Sequence, residues 1–176
     1  MLEILIKRDG IVRTSVHTEL AKYTDKLTVH ESAPSADTGA SLPFVDVLTE
    51  SGENTGLAFH GVPGGHEFTS FILGLYNAAG PGQPLDPAIR EKILAIQHPI
   101  HLQILVSLSC TMCPDLVTAA QRIASLNPLV TAEVYDIAHF PDLKEKYHVM
   151  SVPCLVINQD KTSFGKKNIQ QILELI

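Results

Sequence analysis

The chain lacks several features that would place it in a specialised class of protein. None of its apolar runs approaches the roughly 18 residues that a membrane-spanning helix needs, and residues 1–7 have the wrong length and charge order for a signal peptide. It has no basic cluster and a formal net charge of −6, which argues against nucleic acids and anionic membranes as partners. Its three cysteines are too few, and odd in number, for a disulfide framework. We therefore expect a cytoplasmic protein.

The residues that are present can build a large core, and they repeat weakly along the chain. The chain has 176 residues, of which 45% are hydrophobic, enough for one large domain or two small ones. Residues 41–47 (SLPFVDV) and 151–157 (SVPCLVI) both place a proline before an apolar run, where a strand tolerates it. Residues 2–6 and 102–106 are matching apolar runs further upstream. The order strand-helix-strand-helix-strand-strand-helix therefore occurs twice, which predicts a duplicated α/β fold.

Helices are predicted from apolar stripes and end signals. Asp86 is a good N-cap and Pro87 suits the first position of a helix, so a helix starts there and opens the second half. The two halves are accordingly placed at residues 1–85 and 86–176. The last helix of the first half is predicted at residues 67–76. The helices of the second half are predicted at residues 87–97, 114–126, 142–147 and 168–176.

A pair of cysteines carries the clearest chemical signal. Cys110 and Cys113, separated by Thr111 and Met112, follow a predicted strand and open a predicted helix. The unpaired N–H groups and the positive dipole end of that helix favour a thiolate. Cys110, nearest the strand tip, is the expected nucleophile toward a partner's disulfide, and Cys113 is the expected resolving thiol. The first half has no counterpart to this dithiol, so we interpret it as redox-inactive.

Two other interpretations of the cysteines stay open. A zinc site needs four ligands, of which this pair supplies two, with Cys154 and scattered histidines as further candidates. The pair could also be two inert helix cysteines, although a C-x-x-C directly after a strand is typical of thioredoxin-like redox units. Cys154, a lone thiol in an apolar strand, is expected to be a buried small hydrophobe.

A proline step supports the redox interpretation. In a thioredoxin-like fold, the peptide bond equivalent to Val152–Pro153 is cis and lies against the dithiol. Pro153 has no N–H that could bond to the sulfurs, while the backbone of Val152 can pair with an extended partner peptide. The first half keeps a similar step at Leu42–Pro43. We therefore expect Val152 and Pro153, with Thr111 and Met112 between the cysteines, to contact the substrate.

Four segments together resemble one family. Residues 61–70 (GVPGGHEFTS), 107–115 (SLSCTMCPD), 126–128 (LNP) and 149–153 (VMSVP) are similar to the N-terminal domain of the flavoprotein subunit of alkyl hydroperoxide reductase. The resemblance covers nearly the whole chain and keeps the order of the motifs. It implies two tandem thioredoxin-like folds, joined into one continuous mixed sheet flanked by helices, of which only the second is redox-active.

The same resemblance implies an activity. The dithiol Cys110/Cys113 would take electrons from a thioredoxin-reductase-like flavoprotein part, which uses FAD and NADH, and would reduce the disulfide of a peroxiredoxin. Glu67, supplied by the inactive half, would lie near the dithiol and exchange a proton with Cys113. From the residues alone, Glu67 is also explained as a favourable negative charge in the first turn of a helix.

The sequence departs from the family in ways that leave rival functions open. It contains no strand-G-x-G-x-x-G-helix motif, so no cofactor is expected in this chain, and FAD and NADH belong to a missing or separate flavoprotein part. We interpret the chain as an excised domain or a stand-alone relative, with a homodimer formed through the missing part as one option. The rivals are a general glutaredoxin-like or protein-disulfide oxidoreductase, and a module that holds a peptide at residues 62–65 and has an incidental disulfide.

Overall fold

The computed structural model of the protein describes residues 2–7, 27–32, 43–49 and 51–176. Its strands are β1 (Leu2–Lys7), β2 (Leu27–Ser32), β3 (Phe44–Thr49), β4 (Asn54–His60), β5 (Ile100–Val106), β6 (Val130–Asp136), β7 (Cys154–Ile157) and β8 (Lys161–Phe164). The helices within the described ranges are α1 (Glu67–Ala79), α2 (Pro87–Leu94), α3 (Cys113–Ala124), α4 (Pro141–Lys146) and α5 (Ile169–Leu173).

All eight of these strands form one mixed sheet with the order β2-β1-β3-β4-β6-β5-β7-β8. In the first four, β1 pairs in parallel with β2 and antiparallel with β3, and β3 pairs antiparallel with β4. The strands β5 to β8 repeat this pattern, and β4 joins the two sets by a parallel pairing with β6. The predicted duplicated α/β fold in one continuous sheet is confirmed. The division at residues 85 and 86 remains a prediction.

The main core lies between one face of this sheet and the helices α1 and α3. Along β6, Val130, Ala132 and Val134 are buried in this core, while the alternate residues point to the other face and are half-buried. The helix α3 presents Leu116 and Ile123, both fully buried, to the same core. Burying each such side chain stabilises the fold by about 2 kcal/mol relative to leaving it exposed. Because residues of both halves belong to this core, it joins the two halves.

Several helix ends follow the predicted signals, and others are shorter. The carboxylate of Asp86 accepts a hydrogen bond from the N–H of Ala88 at 2.8 Å, and Pro87 is the first residue of α2, as predicted. The prediction for residues 87–97 is too long, because Ile96 donates to Ile93 over three residues and tightens the chain after Leu94. The last helix likewise ends at Leu173 rather than residue 176. The helix predicted at residues 67–76 continues to Ala79.

Some predictions fall outside the described residues. These are the first two helices of the first half and the Leu42–Pro43 step, since residue 42 is not described. Within the described ranges, no helix has the length and apolar character needed to cross a bilayer.

Candidate active site

The two cysteines of the C-x-x-C motif are joined at the carboxyl end of a central strand. The strand β5 ends at Val106, a turn follows in which the N–H of Cys110 donates to the carbonyl of Ser107 at 2.9 Å, and α3 begins at Cys113. Cys110 and Cys113 form a disulfide with a Cα–Cα distance of 5.5 Å. The Cys110 side chain is partly exposed, whereas Cys113 is 0% exposed. This difference suits an outer sulfur that meets a partner and an inner sulfur that does not.

The proline step lies against the outer sulfur. The Val152–Pro153 peptide bond is cis, and the carbonyl oxygen of Val152 is 3.9 Å from Sγ of Cys110. Pro153 is buried and Val152 is half-buried. The structure therefore brings the predicted peptide-binding backbone of Val152 next to the dithiol, although 42 residues separate them in sequence.

The surface around the dithiol carries exposed apolar side chains. Thr111 and Met112, between the cysteines, are both exposed, with Met112 at 50%. Met150, two residues before Val152, is 93% exposed and is not among the residues predicted from sequence. The sequence does offer a signal for Met150, because this apolar residue directly precedes the Ser-Val-Pro step and therefore belongs to the same loop.

Glu67 is a fully buried acid. It begins α1, is 0% exposed, and accepts a hydrogen bond from Oγ of Ser70 at its Oε2 atom. Its other oxygen, Oε1, has no hydrogen-bond partner among the residues that the structure describes. Burial raises the pKa of Glu67 to about 7, and the Ser70 hydrogen bond opposes that rise. A favourable charge on the helix dipole does not account for this burial.

A contact between the two halves places Glu67 at the dithiol end of the sheet. The backbone N–H of His66 donates to the carbonyl of Leu108 at 3.0 Å, two residues before Cys110. Gly65 has a φ of +52°, and a Cβ on it would collide with the same Leu108 carbonyl, so glycine is required for this approach. The His66 side chain is exposed and makes no capping bond to α1.

A cavity of about 820 Å³ adjoins this site. It lies between α1, α3, the segment after α1 and the loop before α5. Its wall includes Ser70, which bonds to Glu67, and Pro114, which follows Cys113. The cavity thus reaches residues adjacent to both the buried acid and the inner cysteine.

Comparisons with known proteins identify this arrangement. The NTD_N/C domain of alkylhydroperoxide reductase AhpF from Enterococcus faecalis has 36% sequence identity and a TM-score of 0.89 to this chain, covering 99% of this chain and 89% of that one. The curated alkyl hydroperoxide reductase AhpF of Pseudomonas aeruginosa is 34% identical over 158 residues, which are 90% of this chain and 29% of that protein. The chain belongs to the AhpF family of alkyl hydroperoxide reductases.

Membership of this family confirms the resemblance and the tandem thioredoxin-like fold. A family model described as a thioredoxin domain matches residues 100–176, the part that holds the dithiol. A protein disulfide oxidoreductase from Aeropyrum pernix shares the fold, with a TM-score of 0.80 at 20% identity over 99% of this chain and 84% of that one. The chain spans about 30% of the length of the curated AhpF relatives it matches.

The third cysteine of this AhpF-family chain lies in a different apolar cluster from Cys113. Cys154 is buried in a second apolar cluster on the opposite face of the sheet, with Leu105, Tyr147, Val149 and Val156. Burial raises the pKa of the Cys154 thiol to about 11, against a smaller lowering by Lys167. This agrees with its prediction as a small hydrophobe. Within the described residues, no group of three or more His, Cys, Asp or Glu side chains is placed to hold a metal ion.

A polar cluster at the junction of the two halves was not predicted from sequence. Glu133 accepts hydrogen bonds from Tyr135 at 2.6 Å and pairs with His60 at 3.0 Å, and His101 lies 3.4 Å from its second oxygen. Although burial raises the pKa of Glu133, its contacts with the two histidines and Tyr135 together hold it well below its usual range. His60 belongs to β4 and the others to β5 and β6, so the cluster links the two halves. The pairing of β6 with β4 brings His60 to Glu133, and its pairing with β5 brings His101.

Proposed function

We propose that this domain carries electrons from the dithiol of an FAD- and NADH-dependent flavoprotein part to the disulfide of a peroxiredoxin. The observation that carries the proposal is the partly exposed Cys110 joined to the buried Cys113 at the start of α3, in a chain of the AhpF family. The names of the relatives support the peroxide-related role, and the C-x-x-C geometry supports the thiol chemistry.

The reaction transfers two electrons from the dithiol of this domain to the disulfide of the partner. The Cys110 thiolate attacks one sulfur of the partner's disulfide, forming a mixed disulfide and releasing one partner thiolate, which takes a proton from solvent. Cys113 then loses its proton and attacks Sγ of Cys110, which releases the second partner thiolate, and this thiolate also takes a proton from solvent. The partner ends as a dithiol and this domain as the Cys110–Cys113 disulfide. The flavoprotein part, which lies outside this chain, returns the two electrons.

The start of α3 favours the attacking thiolate. The first N–H groups of a helix have no partner within it, and they carry the positive end of the helix dipole. A cysteine whose pKa falls from about 8.5 to about 7 is roughly half ionised at neutral pH, compared with about 3% before. We therefore expect the helix to favour attack by Cys110, which lies three residues before Cys113, the first residue of α3.

The surface beside Cys110 is proposed to bind an extended segment of the partner. The backbone of Val152 would pair with that segment as an added strand, and Pro153 would keep N–H groups away from the sulfurs. Thr111 and Met112 would contact the partner from the other side of Cys110. The exposure of Met112 supports this role, because an exposed apolar side chain next to a reactive sulfur gains stability by being covered.

Glu67 is proposed to accept the proton of Cys113. A base with a pKa of about 7 can be charged before the step and protonated after it at neutral pH. The His66–Leu108 bond supports this role, because it holds the start of α1 against the turn that leads to the dithiol. The proposed division at residues 85 and 86 then has a chemical meaning, since the first half supplies the acid and the second half the dithiol.

Trapping of the mixed disulfide tests the proposal. A Cys113→Ser variant should form a covalent adduct with an oxidised peroxiredoxin through Cys110, whereas Cys110→Ser should form none. Cys154→Ser added to the Cys113→Ser variant serves as the control, because losing a buried thiol outside the pair should leave trapping unchanged.

A redox titration with thiol counting completes the test. One two-electron transition at a reducing potential, and faster reduction of peroxiredoxin than of an unrelated protein disulfide, are the expected results. Equal rates on both substrates would support a general oxidoreductase instead. Full binding of a peptide by Cys110→Ser, with no turnover in the native domain, would support the peptide-binding module.

A further inference from the structure

The proposed role of Glu67 requires a charged carboxyl group in a buried site. Glu67 is 0% exposed, so bulk solvent does not stabilise its carboxylate. The carboxylate must nevertheless be present before Cys113 can lose its proton. The residues around the carboxyl group must therefore stabilise its charge.

Ser70 is the hydrogen-bond partner of this carboxyl group in the described part of the chain. Its Oγ lies at hydrogen-bonding distance from Oε2 of Glu67, and also 2.9 Å from the backbone carbonyl of Glu67. The hydroxyl has one hydrogen to donate, and two oxygen atoms of Glu67, Oε2 and the backbone carbonyl oxygen, lie within its reach. When Glu67 is charged, the hydrogen points to Oε2. When Glu67 is protonated, its own hydrogen points to Oγ, and the hydroxyl hydrogen turns to the backbone carbonyl.

Ser70 also lies in the wall of the cavity between α1 and α3. Ser70 is 1% exposed and is one of the residues that line the cavity of about 820 Å³. The charged residues of the wall are Asp115, Arg122, Lys166 and Lys167. None of them forms an ion pair with Glu67 among the described residues, and Lys166 pairs with Asp115 at 3.5 Å. Among the described residues, the Ser70 hydroxyl is thus the side-chain group that stabilises the charge of the buried carboxylate.

We propose that Ser70 is a positioning residue whose hydroxyl holds the Glu67 carboxyl group and stabilises its charged form, so that Glu67 can take the proton of Cys113. The inference rests on the proposed function of Glu67. When Cys113 gives its proton to Glu67, the Ser70 hydroxyl turns from Oε2 to the backbone carbonyl and accepts a hydrogen bond from the protonated carboxyl group. One proton moves from Cys113 to Glu67, no electrons move, and Ser70 is unchanged.

A single-turnover reaction separates the proton transfer from Cys113 to Glu67 from the rest of the reaction. The reduced domain is mixed with one equivalent of dithiobisnitrobenzoate, a small disulfide that releases coloured thionitrobenzoate. Attack by Cys110 releases the first thionitrobenzoate, and attack by Cys113 on the mixed disulfide releases the second. Only the second phase needs the proton of Cys113 to be removed, so its pH profile reports on Glu67.

Ser70→Ala should move the inflection of the second phase upward by about one pH unit, because the lost hydrogen bond favoured the charged carboxylate. Below the inflection, the second phase becomes about tenfold slower, and the first phase does not change. Ser70→Thr keeps the hydroxyl and should restore the profile. Thr69→Ala is the matched control, since Thr69 is exposed and lines the same cavity.

The effect must pass through Glu67. In a Glu67→Gln background, Ser70→Ala should add no further change to the second phase. An equal slowing with and without Glu67, or an unmoved inflection in Ser70→Ala, would overturn the role of Ser70. A second phase that ignores Glu67→Gln would instead overturn the proposed function of Glu67. The infrared carboxyl band of Glu67, followed against pH, gives the same shift without any turnover.

Discussion

The burial of Glu67 predicts an unusual dependence of stability on pH. Its carboxyl group has an ordinary pKa of 4.5 and a folded-state pKa of about 7. Between these values the folded protein binds a proton that the unfolded chain does not, so the free energy of unfolding falls as the pH rises. The contribution is fully present below the unfolded value and is lost by the time the pH passes the folded value. A carboxyl group with a lowered pKa would give the opposite slope.

The shift sets the size of the effect. At about 1.36 kcal/mol per pKa unit, the folded protein loses about 3 kcal/mol of stability across this window because of Glu67. Glu67→Gln removes the charge and keeps the shape of the side chain. The variant should match the native protein near the acidic end, and should be more stable by up to about 3 kcal/mol near pH 8.

Urea unfolding of the oxidised protein across this pH range measures the difference directly. Glu53→Gln is the control, because Glu53 is an exposed carboxylate of the same half and should leave the slope unchanged. A Glu67→Gln variant whose stability falls with pH as steeply as that of the native protein would refute the reasoning. In that case the Glu67 carboxyl group would not be held in a desolvated site.

Single contacts give three further predictions. Gly65→Ala should destabilise the protein by at least about 1 kcal/mol more than Gly52→Ala in urea unfolding, because only the first collides with the Leu108 backbone, and equal losses would contradict this. Cys154, whose pKa burial raises to about 11, should resist iodoacetamide near pH 8 while the partly exposed Cys110 of the reduced protein reacts, as mass spectrometry would show. Glu133→Gln should lower the free energy of unfolding by about 2 kcal/mol at neutral pH, since two histidines and a tyrosine lose a charged partner. The variant should also lose less stability than the native protein on acidification. Urea unfolding at pH 7 and at acidic pH measures both effects.

Local pattern was sufficient for most of the architecture. Alternating or continuous apolar runs identified the strands, and the repeated proline step identified the duplication, because these signals depend on residues close together in sequence. Asp86 and Pro87 placed a helix start for the same reason. The ends of helices were less accurate, as at Leu94, because the last turn adjusts its hydrogen bonds to the packing around it.

The site divides along the same line. The sequence by itself determined the dithiol, since the spacing of Cys110 and Cys113 and their place between a strand and a helix are local features. The tertiary structure alone decided the state of Glu67. Its burial depends on the contact of the first half with Leu108 in the second, and its partner Ser70 faces a cavity that forms only when α1 packs beside α3. A pKa is set by what surrounds a group in space, and those neighbours come from distant parts of the chain.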